Sequence, residues 1–228
     1  MSTELLPAVV IEPERPADAA VILMHGLGAD GHDFETLVFE LTLPRDSAIR
    51  WVFPHAPIRP VTLNGGMPMR AWFDIVGLDR RSEEDEAGIR GSGERIRALV
   101  RREKERGIPA DRIVLAGFSQ GGAIALHTAI RETERLAGVL ALSTYLPLAG
   151  ALEAEAQPAN AAVPIFMAHG TADPIVPIAL GEGSRDRLRS LGYEVEWHTH
   201  PMPHSVCAEE VADIREWLLG RVPPRERP

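Results

Sequence analysis

The stretch "RIVLAGFSQGGAIAL", residues 112–126, decides the fold. Ile113, Val114, Leu115 and Ala116 form an unbroken apolar run of the kind that fills a buried parallel strand, whereas Ala123, Ile124, Leu126 and Ala129 recur at helical spacing. Ser119 therefore stands where a strand turns into a helix. The backbone must double back there within a few residues, so its neighbours have to be small. Gly117 and Gly121 meet that need, and Gly122 lets the helix approach the strand closely. A hydroxyl raised on such a turn is a candidate nucleophile. The five-residue pattern alone is weak, because a glycine-rich turn around serine is often only a turn.

A serine hydroxyl becomes a useful nucleophile only when a neutral histidine takes its proton and a carboxylate fixes that histidine's tautomer. In hydrolases built on parallel sheets the three arrive in the order serine, acid, histidine, each on a loop after a strand. Two downstream segments fit. "VPIFMAHGTADPIVP" (163–177) has an apolar strand followed by a loop with Asp173, and "YEVEWHTHPMPHSV" (193–206) has a strand followed by a proline-punctuated loop with His204. Each gap has room for a strand and a helix, so all three groups can emerge at the C-terminal edge of one sheet. His200, four residues before His204, is the rival base; His204 is preferred because it adjoins the start of the final helix. His127 and His198 read as structural, and Asp186 and Asp213 as solvated helix faces.

An oxyanion forming at the attacked carbonyl needs donors oriented in advance. The N–H of Gln120, directly after the nucleophile, is one candidate. The other comes from "AVILMHGLGADGHDF" (20–34), a strand followed by glycines at 26, 28 and 31, where the N–H of Leu27 is best placed. This glycine-rich loop has neither the lysine of a P-loop nor the G-x-G-x-x-G order of a dinucleotide site.

Taken together, "HGLGADGHDF", "FPHAPIRPVTLNGGMPMRAWFD", "AGFSQGGAIAL", "LSTYLP", "HGTADPIVP" and "MPHSV" resemble the carboxylesterase and acyl-protein thioesterase family of α/β-hydrolases, also described as the phospholipase/carboxylesterase family. The resemblance runs in order from about residue 7 to 220. It implies Ser119 as nucleophile, Asp173 as acid, His204 as base and the Leu27 and Gln120 N–H groups as the oxyanion hole. By its look the chain is similar to compact bacterial carboxylesterases acting on short or medium acyl esters. Acyl-protein thioesterases and lysophospholipases share the framework, and the resemblance allows for a homodimer.

The remaining features agree with one α/β domain over 1–220 and a disordered tail over 221–228. The chain has 228 residues, a length that suits one large core. No apolar run approaches a membrane span, and the N-terminal residues lack the pattern of a secretory signal, so a cytoplasmic enzyme without stable membrane association is expected. Cys207 is the single cysteine, which excludes an internal disulfide; its place near His204 makes a thiol nucleophile conceivable, but Ser119 has the turn. The net charge of −9 and the absence of a basic stripe argue against a nucleic-acid partner. With no metal-ligand cluster, the site is expected to work on a small-molecule ester without a metal or cofactor. A non-catalytic binding protein on the same fold is the alternative of a different class.

Strands are expected near 7–11, 20–24, 49–53, 112–116, 137–142, 163–168 and 193–198. Helices are expected near 32–42, 84–106, 121–133, 178–190 and 206–219. This alternation gives a mostly parallel sheet covered on both faces, with an antiparallel strand at the N-terminal edge. Ser82 and Asp85 resemble a capping box opening the second helix. The long connection from Pro54 to Asp74 is too apolar for simple disorder; Met67, Met69, Trp72 and Phe73 are read as an apolar wall over the acyl site, the alternative being a minor core under a surface loop.

Overall fold

The computed structural model describes residues 5–77 and 84–225. Nine strands are present among them: β1 (Ala8–Ile11), β2 (Ala19–Met24), β3 (Ile49–Pro54), β4 (Ile58–Val61), β5 (Met67–Arg70), β6 (Ile113–Phe118), β7 (Gly138–Leu142), β8 (Ile165–Gly170) and β9 (Val195–His200). The α-helices are α1 (Glu35–Glu40), α2 (Glu86–Glu105), α3 (Gln120–Ile130), α4 (Leu152–Glu155), α5 (Ile178–Ser190) and α6 (Ala208–Arg221). Seven strands make one sheet in the order β1-β3-β2-β6-β7-β8-β9, parallel except for β1, which runs against β3. The α/β fold expected from the alternating pattern is the fold observed.

The side-chain period of a strand explains why both faces are covered. Along β2, Ala20, Ile22 and Met24 enter one apolar cluster while Ala19, Val21 and Leu23 enter the other. The first cluster includes Ile89, Ile96 and Leu99 of α2 and Ala123, Ile124 and Leu126 of α3; the second includes Leu37 of α1 and Ile214, Trp217 and Leu218 of α6. Strand β6 divides the same way, with Ile113 and Leu115 on one side and Val114 and Ala116 on the other. From β2 the chain moves outward to β3 on one side, then returns to place β6 on the other. That reversal opens a crevice at the C-terminal ends of β2 and β6, which are paired as far as Met24 and Gly117.

Two expectations are corrected. The connection from Pro54 to Asp74 contains a hairpin, β4 paired antiparallel with β5, whose tip uses Gly65 and Gly66 at φ +67° and +78°. Helix α2 is capped by Asp85 itself, whose carboxylate accepts the Gly88 N–H at 2.8 Å; Ser82 lies outside the described residues. The segment after residue 220 is tied down as far as it is described: Val222 is buried, and the Pro223 carbonyl accepts Arg112 Nη1 at 3.0 Å.

Candidate active site

Ser119 occupies the turn between β6 and α3 with φ 55° and ψ −121°, a conformation that L-residues avoid and that surrounding structure must enforce. Two contacts enforce it: the Ser119 N–H donates to the Leu142 carbonyl at 2.8 Å, and the Thr144 hydroxyl donates to the Ser119 carbonyl at 2.6 Å. The flanking glycines are required by space. A Cβ on Gly117 would enter the backbone of Gly121, one on Gly121 would enter the Met24 carbonyl, and one on Gly122 would lie 2.8 Å from the Gly117 carbonyl oxygen.

Asp173 follows β8, with its side chain fully buried. One carboxylate oxygen accepts the N–H groups of Ile175 and Val176 at 2.8 and 2.9 Å, and the other accepts His204 Nδ1 at 2.6 Å. These bonds orient the acid before it meets the imidazole. His204, between β9 and α6, makes no other side-chain hydrogen bond among the described residues, which leaves Nε2 available as an acceptor. Its ring centroid lies 4.6 Å from that of Phe118, the residue before the nucleophile. The loop carrying it is pressed onto the end of β8, since a Cβ on Gly170 would enter the carbonyls of Met202 and Pro203.

The rival histidine faces elsewhere. His200 Nε2 lies 3.3 Å from Asp213, and its ring is parallel to that of His198 with centroids 6.4 Å apart. Asp213 is therefore no merely solvated carboxylate, because His198 Nδ1 also reaches it at 3.1 Å. Burial holds His127 neutral, its pKa pushed down to about 3 with nearby Arg131, Arg97 and Arg90 adding to the shift. Cys207 stands at the N-cap position just before α6, and burial raises its thiol pKa, contrary to what a thiolate nucleophile needs.

Gly26 lies against the nucleophile: a Cβ there would be 3.5 Å from Ser119 Cβ. The Leu27 N–H makes no hydrogen bond to any described residue, and the Gln120 N–H, in the first position of α3, has no acceptor within its helix. Gln120 thus adjoins the serine in the chain, and the residue before Leu27 borders it in space. The apolar wall is rearranged relative to the sequence reading. Trp72 and Phe73 belong to the main core, exposed by 0% and 3%, because the indole N–H and the adjoining backbone are claimed by hydrogen bonds to His25 and Gln120. Met67 is 62% exposed on the hairpin, while a Cβ on Gly28 would lie 3.9 Å from Met69 Sδ, beside the glycine loop.

Two histidines at strand ends escaped the sequence reading. His25 Nε2 accepts the Ala56 N–H at 3.0 Å, so its proton is on Nδ1, which donates to the Gly26 carbonyl at 2.7 Å. His169 Nε2 donates to the Val176 carbonyl at 2.8 Å beneath the acid loop. Burial lowers the pKa of both. The available signal was position: each ends an apolar strand just before a glycine, in "LMHG" and "MAHG". Among the described residues no group of three or more His, Cys, Asp or Glu is arranged to hold a metal ion, and no helix is long and apolar enough to cross a membrane.

A strained serine at the crevice between β2 and β6, served by loops from later strands of the same sheet, defines an α/β-hydrolase. The chain belongs to the Phospholipase/Carboxylesterase family, which it matches over residues 6–219. It is similar to acyl-protein thioesterase 1 of Neurospora crassa, with 42% identity covering 95% of this chain and 92% of the relative. The like-named protein of Mycosarcoma maydis is 40% identical over 96% of this chain and 98% of its own length. The crystal structure of Zea mays acyl-protein thioesterase 2 superposes with a TM-score of 0.85 at 30% identity, covering 95% of this chain and 99% of that one. The protein is accordingly a hydrolase of the esterase/thioesterase type.

Proposed function

We propose that the protein is a serine hydrolase that cleaves short- to medium-chain carboxylic esters through an acyl-enzyme. Ser119 Oγ attacks the acyl carbonyl carbon and gives its proton to His204 Nε2, while Asp173 stabilises the imidazolium. The oxyanion receives the Leu27 and Gln120 N–H groups. On collapse the acyl–oxygen bond breaks and His204 returns the proton to the departing alcohol; water then repeats the sequence on the acyl-enzyme. The 2.6 Å Asp173–His204 hydrogen bond carries this reading, because it fixes a base on the same sheet edge as the strained serine.

A second reading, thioester cleavage, is favoured by the fungal relatives named acyl-protein thioesterase. The machinery serves both, since a thiol departs more readily than an alcohol. Initial rates on oxyesters and thioesters from acetyl to palmitoyl, at matched monomeric concentration, decide between them. Higher kcat/KM on butyryl or hexanoyl oxyesters supports the first reading, and much faster cleavage of palmitoyl thioesters replaces it with the second. Ser119→Ala should lower every rate by several powers of ten, and retained turnover in a pure sample overturns both.

A further inference from the structure

We infer that the side chain of Gln120 is a positioning residue that, through Trp72 and His25, aims the Leu27 N–H, so that the two oxyanion donors form one coupled device. This rests on the serine-hydrolase reading and extends it. The connection begins at Gln120, whose side-chain amide is used at both ends by one dipeptide. Its Oε1 accepts the Trp72 N–H at 2.7 Å, and its Nε2 donates to the Phe73 carbonyl at 2.7 Å. Those two partners fix which end of the amide is oxygen. The Ser92 hydroxyl donates to the Trp72 carbonyl, which completes the hold on that residue. Trp72 then donates its indole N–H to the His25 carbonyl at 2.9 Å.

The last link is the peptide between Gly26 and Leu27. In a planar trans peptide the C=O and N–H point in opposite directions, so fixing one aims the other. The Gly26 carbonyl is held by His25 Nδ1–H, and the His25 ring is itself held by the Ala56 N–H. The Leu27 N–H is thereby directed to the opposite side, while the next N–H, that of Gly28, is anchored on the Arg70 carbonyl at 2.9 Å. Gln120, Trp72 and His25 are exposed by 3%, 0% and 1%, so water does not compete for these bonds. Gln120 therefore supplies one donor from its backbone and orients the other with its side chain. A role confined to filling the core needs no amide there, since burying one costs free energy unless both ends are satisfied.

The test uses Gln120→Met, which keeps the length and loses both bonds, and Trp72→Phe, which leaves the His25 carbonyl without its donor. Urea unfolding establishes the temperature at which each is folded, and Gln120→Met keeps the test open if Trp72→Phe does not fold. At that temperature kcat on a butyryl ester should fall about 10- to 100-fold with KM within about threefold, and affinity for a trifluoromethyl ketone should fall by a similar factor. The double variant of Gln120→Met and Trp72→Phe should be no worse than the poorer single one by more than about threefold. Folded variants with unchanged kcat, a loss confined to KM, or multiplicative losses in the double variant overturn the inference. If the wild type is not labelled at Ser119 by a fluorophosphonate, the serine-hydrolase reading fails and the inference with it; if it is labelled and the variants keep wild-type kcat, the inference alone fails.

Discussion

Ser119 holds a conformation that costs stability, a cost that the proposed mechanism explains. Glycine tolerates φ 55° without a Cβ penalty, so Ser119→Gly should unfold at higher urea, gaining about 1 kcal/mol, while losing all but residual activity. Lower stability in this variant would show that the turn is unstrained. The base assignment is tested by comparison. His204→Ala should be nearly as damaging as loss of the serine, whereas His200→Ala, which touches Asp213 rather than Asp173, should keep most turnover. The reverse ranking in steady-state kinetics would move the base to His200. At this scale the sequence was most legible where chemistry dictates both residue type and order. Ser119, Asp173 and His204 could be named together because a nucleophile, an acid and a base are expected in that order after β6 and two later strands, and the structure brings the last two into hydrogen-bond contact. His25 and Gln120 were harder, since a supporting hydrogen bond leaves no periodic trace, and the backbone partners of the Gln120 amide lie 47 and 48 positions away.

At the scale of elements, the glycines that let loops and helices close on the sheet decide where the site's groups sit. Gly170 at the end of β8 touches the Met202 and Pro203 carbonyls, and Gly170→Ala must push the His204 loop outward. Because His204 needs its 2.6 Å contact with Asp173, this variant should lose at least about tenfold in kcat/KM, and its crystal structure should show the loop displaced. An unmoved loop would mean that the strand end yields instead. The seven strands of the main sheet were legible because they are apolar runs or alternating segments bounded by turns. The β4–β5 hairpin was not, because its strands have four residues each, carry Pro60 and Pro68, and are largely exposed, so neither burial nor alternation marks them. The same illegibility misplaced Trp72. Its position in the core now predicts that Trp72→Ala lowers unfolding free energy by about 3–5 kcal/mol, the cost of an aromatic-sized cavity, which urea titration reads directly.

Across the whole molecule, buried titratable groups set the pH range of stability. His25, His127 and His169 are depressed by burial, stay neutral in the fold and take up protons when the chain unfolds. Their contribution is present above the ordinary histidine value of 6.5 and is lost as pH falls below it. Glu210 acts in the opposite sense. Its carboxyl oxygens are buried without a well-formed hydrogen bond among the described residues, and burial pushes its pKa up to about 8, the nearby Cys207 N–H opposing the shift at longer range and Asp213 adding to it. That contribution is full below its ordinary value of 4.5 and is lost as pH rises through about 8. These groups together predict a stability maximum near pH 6.5. Glu210→Gln should remove the alkaline decline and stabilise the protein at pH 8 by on the order of a few kcal/mol, read from urea midpoints across pH. An unchanged profile would show that Glu210 ionises freely in the fold. None of this was legible in advance, because Glu210 sits in a helix start rich in acids and only packing reveals that it, unlike Glu209, is enclosed.

The central claim is that Ser119, activated by the His204–Asp173 pair, forms the covalent intermediate. Stoichiometric reaction with a fluorophosphonate, mapped to a residue by peptide mass spectrometry, tests it most directly. The account predicts one label per chain, on Ser119, lost in His204→Ala and kept in His200→Ala; a label on another residue, or one that survives His204→Ala at the wild-type rate, would contradict it.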